Sequence, residues 1–210
     1  MDSSPLSTIT FRHLSAAAQN IAAAEFALQG FDVLDQPGRA SRPHDLSVAT
    51  ARGMMKMVVH GTLDGLWDLV DSYLVDGSKP HNDEYHRAIN RWLDRYRQTT
   101  CCLVHFDATN LNSMPRIYLA SAAEVAEKLH ENVDAAGEIA LRTSVGNSGI
   151  ASREESLPRR WRFSQERITE LMSAPKGQGP VEFRISESDR CRECAEVHPA
   201  KCAKCLPMMN

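Results

Sequence analysis

Four cysteines near the end of the chain, Cys191, Cys194, Cys202 and Cys205, form two Cys-x-x-Cys pairs with seven residues between them. Two residues between thiols let the backbone fold into a knuckle that turns both sulfurs toward one ion about 2.3 Å away, and two knuckles complete a tetrahedral shell. Four thiolates leave no position for water, so the ion would be structural. A short polar loop shields poorly against oxidation, which favours Zn²⁺ over iron. A pair of disulfides is the alternative, and His198, inside the loop, reads as a surface residue rather than a replacement ligand.

A second constellation lies at residues 42–65. Leu46 and Val48, then Met55, Met57 and Val59, fall at every second position on either side of Gly53, the period of two strands with one buried face joined by a tight turn. In an antiparallel pair of this kind Asp45, at the start of the first strand, and His60, leaving the second, come side by side at an open sheet edge. A carboxylate beside an imidazole suits metal binding, or general-base catalysis near neutral pH. Lys56, four residues before His60 on the same strand face, is a further basic candidate.

The elements that must position these groups follow from periodicity. Leu14, Ala17, Ala18, Ile21, Ala24, Ala27 and Leu28 predict an amphipathic helix over 13–29 ended by Gly30, with Phe11 as an anchor before it and Glu25 beside the stripe. Its alanines would let it lie close to a sheet. Phe31–Leu34 reads as a strand, and Leu66, Trp67, Leu69, Val70, Tyr73 and Leu74 as an apolar face. Residues 83–97 form a helix with Tyr85, Ile89, Trp92, Leu93 and Tyr96 inward. Its outer row of Arg87, Arg91 and Arg95 is a solvated face paired with Glu84 and Asp94, or else a phosphate-binding stripe. Cys101–Phe106 reads as a central strand with structural thiols, Arg116–Ala120 as another, and Ser121 and Glu124 as the capping box of a helix running to Asn132. A strand over 138–143, a surface loop over 144–160 and a Ser164-capped helix reaching Met172 complete the pattern. Alternating strands and helices predict an α/β fold, a mixed β-sheet flanked by helices. The expected divisions are a loose N-terminus over 1–12, the α/β domain over 13–174, a Gly/Pro linker over 175–188 and a zinc-binding tail over 189–210.

The totals narrow the function. The chain has 210 residues, 42% of them apolar, and a net charge of −3. That is enough for a real core. No apolar run is long enough to span a membrane, and the N-terminus lacks a signal-peptide pattern, so a cytoplasmic, reducing location is expected. Residues 1–151 carry net −5 and 152–210 net +2. A uniformly basic nucleic-acid grip is excluded, and any such binding must come from a local patch.

The order of a helix carrying Glu25, then Pro43-His44-Asp45 at the start of a strand, then a second strand, resembles the PD-(D/E)XK nuclease superfamily. The likeness spans roughly residues 12–130. It implies a restriction-endonuclease-like core in which Glu25 and Asp45 match the helical acid and the strand aspartate, with Mg²⁺ or Mn²⁺ as the catalytic ion. The third motif departs from the pattern: where an acid or amide and a lysine should stand, this chain has Val58, Val59 and His60. The resemblance therefore implies either a degenerate nuclease that binds nucleic acid or a protein partner within an oligomer or larger assembly, or an active endonuclease using Asp45 with Glu25 and His60. The third reading is an adaptor that works through its zinc knuckle, with nuclease likeness by pattern alone.

Overall fold

The computed structural model describes residues 10–35, 44–50, 53–74, 82–108, 110, 112–143 and 157–173. The chain divides into units of residues 1–177 and 178–210, and the second lies outside the described residues.

Helix α1 (Phe11–Leu28) starts from a capping box: Thr10 accepts from the His13 backbone N–H, and the His13 ring accepts from that of Thr10. Its buried stripe is Ala18, Ala22 and Phe26. The expected stripe is thus corrected. Ala24 and Ala27 are exposed, Leu28 is 79% exposed, and Phe11, the expected anchor, is 81% exposed. Alanines give a nearly flat hydropathy pattern that selects no face. Phe26 selects it, through edge contacts with Phe163 at 5.0 Å and Phe31 at 6.0 Å.

Strands β1 (Asp32–Asp35), β2 (Leu46–Thr50) and β3 (Gly53–Thr62) form an antiparallel meander. The predicted hairpin is present, with Leu46 opposite Met57 and Val48 opposite Met55. The chain then forms the short β4 (Leu66–Trp67), a 3₁₀ turn (Asp71–Tyr73) and α2 (Asn82–Tyr96), and returns as β5 (Thr100–His105), parallel to β3. Strand β6 (Arg116–Ser121) closes the sheet antiparallel to β5, giving the order β1-β2-β3-β5-β6. The architecture is α/β, a mixed sheet flanked by helices.

Helix α3 (Ala122–Ala136) has the Ser121–Glu124 capping box the sequence predicts, but it runs one turn beyond Asn132, because Gly137 (φ +66°) provides a left-handed cap. The expected strand over 138–143 shrinks to β7 (Leu141–Arg142), which pairs with β4 and not with the main sheet. Helix α4 (Gln165–Ser173) is capped by Ser164, whose Oγ accepts from the Arg167 N–H.

The sheet has two distinct faces. Leu46, Val48, Met55, Met57, Val59, Cys102, Val104 and Leu119 form one cluster with Ala18, Ala22 and Phe26 of α1 and Ile168 of α4. A Cβ placed on Gly61 would lie 2.9 Å from the Ala18 Cβ, so position 61 faces α1 at a close approach that the alanines and this glycine permit. By alternation Val58, His60 and Thr62 face the other way. On that side α3 packs on β5 and β6, and α2 packs on α3.

Candidate functional site

Asp45 sits where β2 begins. Its N–H donates to the Met57 carbonyl, and its Oδ2 accepts from the Val59 N–H, both at 2.7 Å. The regular ladder between β2 and β3 starts one residue later, at Leu46, so the carboxylate serves a strand amide that this ladder does not reach. The Asp45 N–H bonds to Met57, the residue already paired with Leu46, so Asp45 stands at an irregular end of the ladder with its carboxylate beside Val59.

His60, next to Gly61 in β3, faces away from α1. Its carbonyl accepts from the Trp67 indole N–H at 3.2 Å. The imidazole Nε2 is buried without a hydrogen-bond partner, and burial lowers the pKa to about 4. The ring is therefore neutral at physiological pH, and no hydrogen bond joins it to Asp45.

Glu25 is on the opposite side of the sheet. Half-buried on α1, it lines a shallow cavity of about 300 Å³ with Pro115, Arg116, Ile117, Tyr118, Arg162 and Phe163. The structure thus brings the Asp45 carboxylate to the strand residue next to His60, while Glu25 lies with the α1-side cavity. Lys56 is exposed. Among the described residues no group of three or more His, Cys, Asp or Glu side chains is placed to hold a metal ion. Cys191, Cys194, Cys202, Cys205 and His198 lie outside the described residues.

Cys101 and Cys102 are buried on opposite faces of β5. Burial pushes both thiols well above their ordinary range, which makes them structural and not nucleophilic. The arginine row of α2 is exposed, with contacts other than the expected acids. Arg91 donates to the Tyr73 carbonyl at 2.9 Å and Arg95 lies over the Tyr96 ring, while Asp94 pairs with Arg97.

Three arrangements were not anticipated from the sequence. His86 of α2 and His130 of α3 meet Nδ1 to Nδ1 at 2.6 Å, flanked by Asp134 at 3.1 Å from His86 and Asn90 at 3.3 Å from His130. The signal was present as two spacings of four, His86 to Asn90 and His130 to Asp134, each placing both side chains on one helix face. Arg116 donates to His105 Nδ1 at 3.0 Å across the β5–β6 register. Arg167, buried in α4, donates to the Leu119 carbonyl and pairs with Glu170 and Glu124. Burial raises the Glu124 carboxyl, but the Ser121 N–H and Arg167 outweigh it and hold the group below its ordinary value.

No family model, no curated protein and no solved structure matches this chain. No helix among the described residues is long and apolar enough to cross a membrane.

Proposed function

We propose that this chain is a catalytically degenerate member of the PD-(D/E)XK nuclease-like fold that binds nucleic acid or a protein partner as a subunit of a larger assembly. The arrangement of elements supports the ancestry: a helix carrying an acid, an aspartate at the start of β2, and the third-motif positions 58–60 across from it on β3. One observation carries the loss of catalysis. The Asp45 carboxylate accepts from the Val59 amide at 2.7 Å, where a nuclease needs that carboxylate on a divalent ion beside a second acid. The neighbouring groups deepen the loss, since Val58 offers no ligand oxygen, His60 Nε2 is buried, and Glu25 lies across the sheet.

Incubating the purified chain with plasmid and Mg²⁺ or Mn²⁺ tests this reading. The expected result is no cleavage above that of an Asp45→Ala variant; cleavage that Asp45→Ala abolishes would restore the active-endonuclease reading. The four tail cysteines fit a structural Zn²⁺ site by donor set and spacing. One zinc per chain by elemental analysis, lost in a Cys191→Ser/Cys194→Ser variant, is the expected outcome. Zinc retained in that variant would refute the site.

A further inference from the structure

We propose that His86 of α2 and His130 of α3 form a two-ligand site for monovalent copper, Cu⁺. The inference stands apart from the nuclease-like reading and needs nothing from it. The two rings meet Nδ1 to Nδ1 at 2.6 Å. Their planes are 17° apart and their centroids 4.8 Å apart, close to the longest separation that such a gap allows, so the rings lie end to end and not face over face. Each outer nitrogen is anchored on its own side: His86 Nε2 lies 3.1 Å from Asp134 Oδ1, and His130 Nε2 lies 3.3 Å from Asn90 Oδ1. Both anchors are oxygens, which accept, so each ring carries its proton on Nε2 and turns an Nδ1 lone pair inward. Two lone pairs aimed at each other across so short a gap repel unless a cation stands between them. An oxygen acceptor on the far nitrogen is also how proteins orient the imidazole ligands of a metal and raise their basicity.

The geometry also selects the ion. Zinc takes four ligands in a tetrahedron, whereas here the two lone pairs point along one line, and among the described residues no third His, Cys, Asp or Glu side chain joins them. Two nitrogens in line suit a closed-shell monovalent ion, and imidazole binds copper well. With metal–nitrogen bonds of about 2.0 Å the Nδ1 atoms would stand about 4 Å apart, so the rings must part by roughly 1.4 Å as the ion enters. The His86 side chain is 30% exposed, which gives the ion a way in from solvent and the ring room to move. An extra proton is the rival cation. Burial and the neighbouring His86 disfavour it on His130 by lowering that pKa to about 4, so near neutral pH the gap is open to a metal.

Anaerobic titration with Cu⁺ against the chromophoric chelator bicinchoninate tests the proposal. The parent protein is the full-length chain carrying Cys191→Ser/Cys194→Ser/Cys202→Ser/Cys205→Ser, so that the tail thiols do not take the ion. One Cu⁺ per chain is expected, with an X-ray absorption edge of the two-coordinate, nitrogen-ligated kind. His86→Ala should weaken binding at least tenfold. Asp134→Ala changes an exposed side chain and leaves both ligands in place, so it keeps the test open if His86→Ala fails to fold. It should weaken binding about tenfold through loss of the anchor. His13→Ala, on α1, should bind as the parent does. Binding that neither His86→Ala nor Asp134→Ala weakens would overturn the site. Absence of Cu⁺ binding would overturn it as well, leaving an ordinary N–H···N hydrogen bond between the rings with the Asn90 amide turned over. An absorption edge showing three or four ligands would overturn the two-ligand assignment.

Discussion

The two faces of the central sheet are built on different principles. Toward α1 and α4 the sheet presents aliphatic side chains and the Cys102 thiol, and the helix comes close enough that Gly61 has no room for a methyl group. Toward α2 and α3 it presents polar groups in tight quarters: Ser47, His60, His105 and Tyr118 on the strands, and the His86–His130 pair between the helices. Two of these, Ser47 Oγ and His60 Nε2, are buried with no hydrogen-bond partner, and each such group costs about 1–3 kcal/mol. Arg167 aside, the α1 face thus holds the fold by apolar contact. The other face gives up part of that stability to keep polar atoms in place, and it is the face on which His60 stands.

Arg167 ties the two sides together and carries the largest expected effect. From α4, in the layer of α1, it reaches the Leu119 carbonyl and the carboxylate at the start of α3. Arg167→Ala leaves half-buried Glu124 without its buried cation, with only exposed Arg160 beside it, and should cost about 3–5 kcal/mol in urea unfolding. A cost below about 1 kcal/mol would mean that the layers are held without it. Gly61→Ala comes next and breaks the close-contact face alone. The added Cβ would meet the Ala18 Cβ at 2.9 Å and the Leu14 carbonyl at 3.0 Å, and a backbone atom cannot rotate away. Overpacking of this kind costs about 1–3 kcal/mol. An unchanged denaturation midpoint would show that α1 can move off the sheet freely.

Much of this arrangement is legible in the residues, and the gaps have physical causes. Alternation at Leu46, Val48, Met55, Met57 and Val59 gives the hairpin and its buried face directly, because a half-buried strand has a period of two. The Ser121–Glu124 box likewise gives the start of α3. The face of α1 was hidden because alanine has little hydropathy contrast, so the contacts of Phe26 decide it. At the candidate site, strand adjacency of Asp45 and His60 was readable, but the use of the carboxylate was not. Whether Asp45 points to solvent or to the Val59 amide depends on where the β2 ladder begins, one residue along. Glu25 lies across the sheet for a reason sequence spacing cannot convey: two strands and a loop separate it from His60, and only the packing side of α1 determines which face it joins.

Acid separates the faces without mutation. Burial holds the pKa of His60 at about 4, and burial together with the neighbouring His86 does the same for His130, with Asp134 opposing. Both lie below the ordinary histidine value, so the unfolded chain binds more protons than the folded one between about pH 6.5 and 4. Their contribution to stability is therefore full above pH 6.5, falls as the pH drops toward 4, and levels off below it, where protonation of Glu124 takes over the loss. Because both imidazoles are on the α2/α3 side, hydrogen exchange corrected for intrinsic rates should rise first in α2 and α3 between pH 7 and 5, with α1 following. A uniform rise across all helices would contradict the difference between the faces.

The smallest effect should come from Ser47→Ala. The hydroxyl is 1% exposed, on the face away from α1, with no bonding partner, so removing it deletes a desolvated polar atom and leaves a void of one oxygen. The two terms oppose one another: relief of the unbonded hydroxyl stabilises, while lost dispersion contacts and the lower strand preference of alanine destabilise. The net should lie between no change and a gain of about 1 kcal/mol in urea unfolding. A loss of more than about 1 kcal/mol would show that the hydroxyl has a partner, such as a bound water. The polar groups of this face would then be satisfied, and the two faces would differ in composition but not in how well their buried atoms are paired.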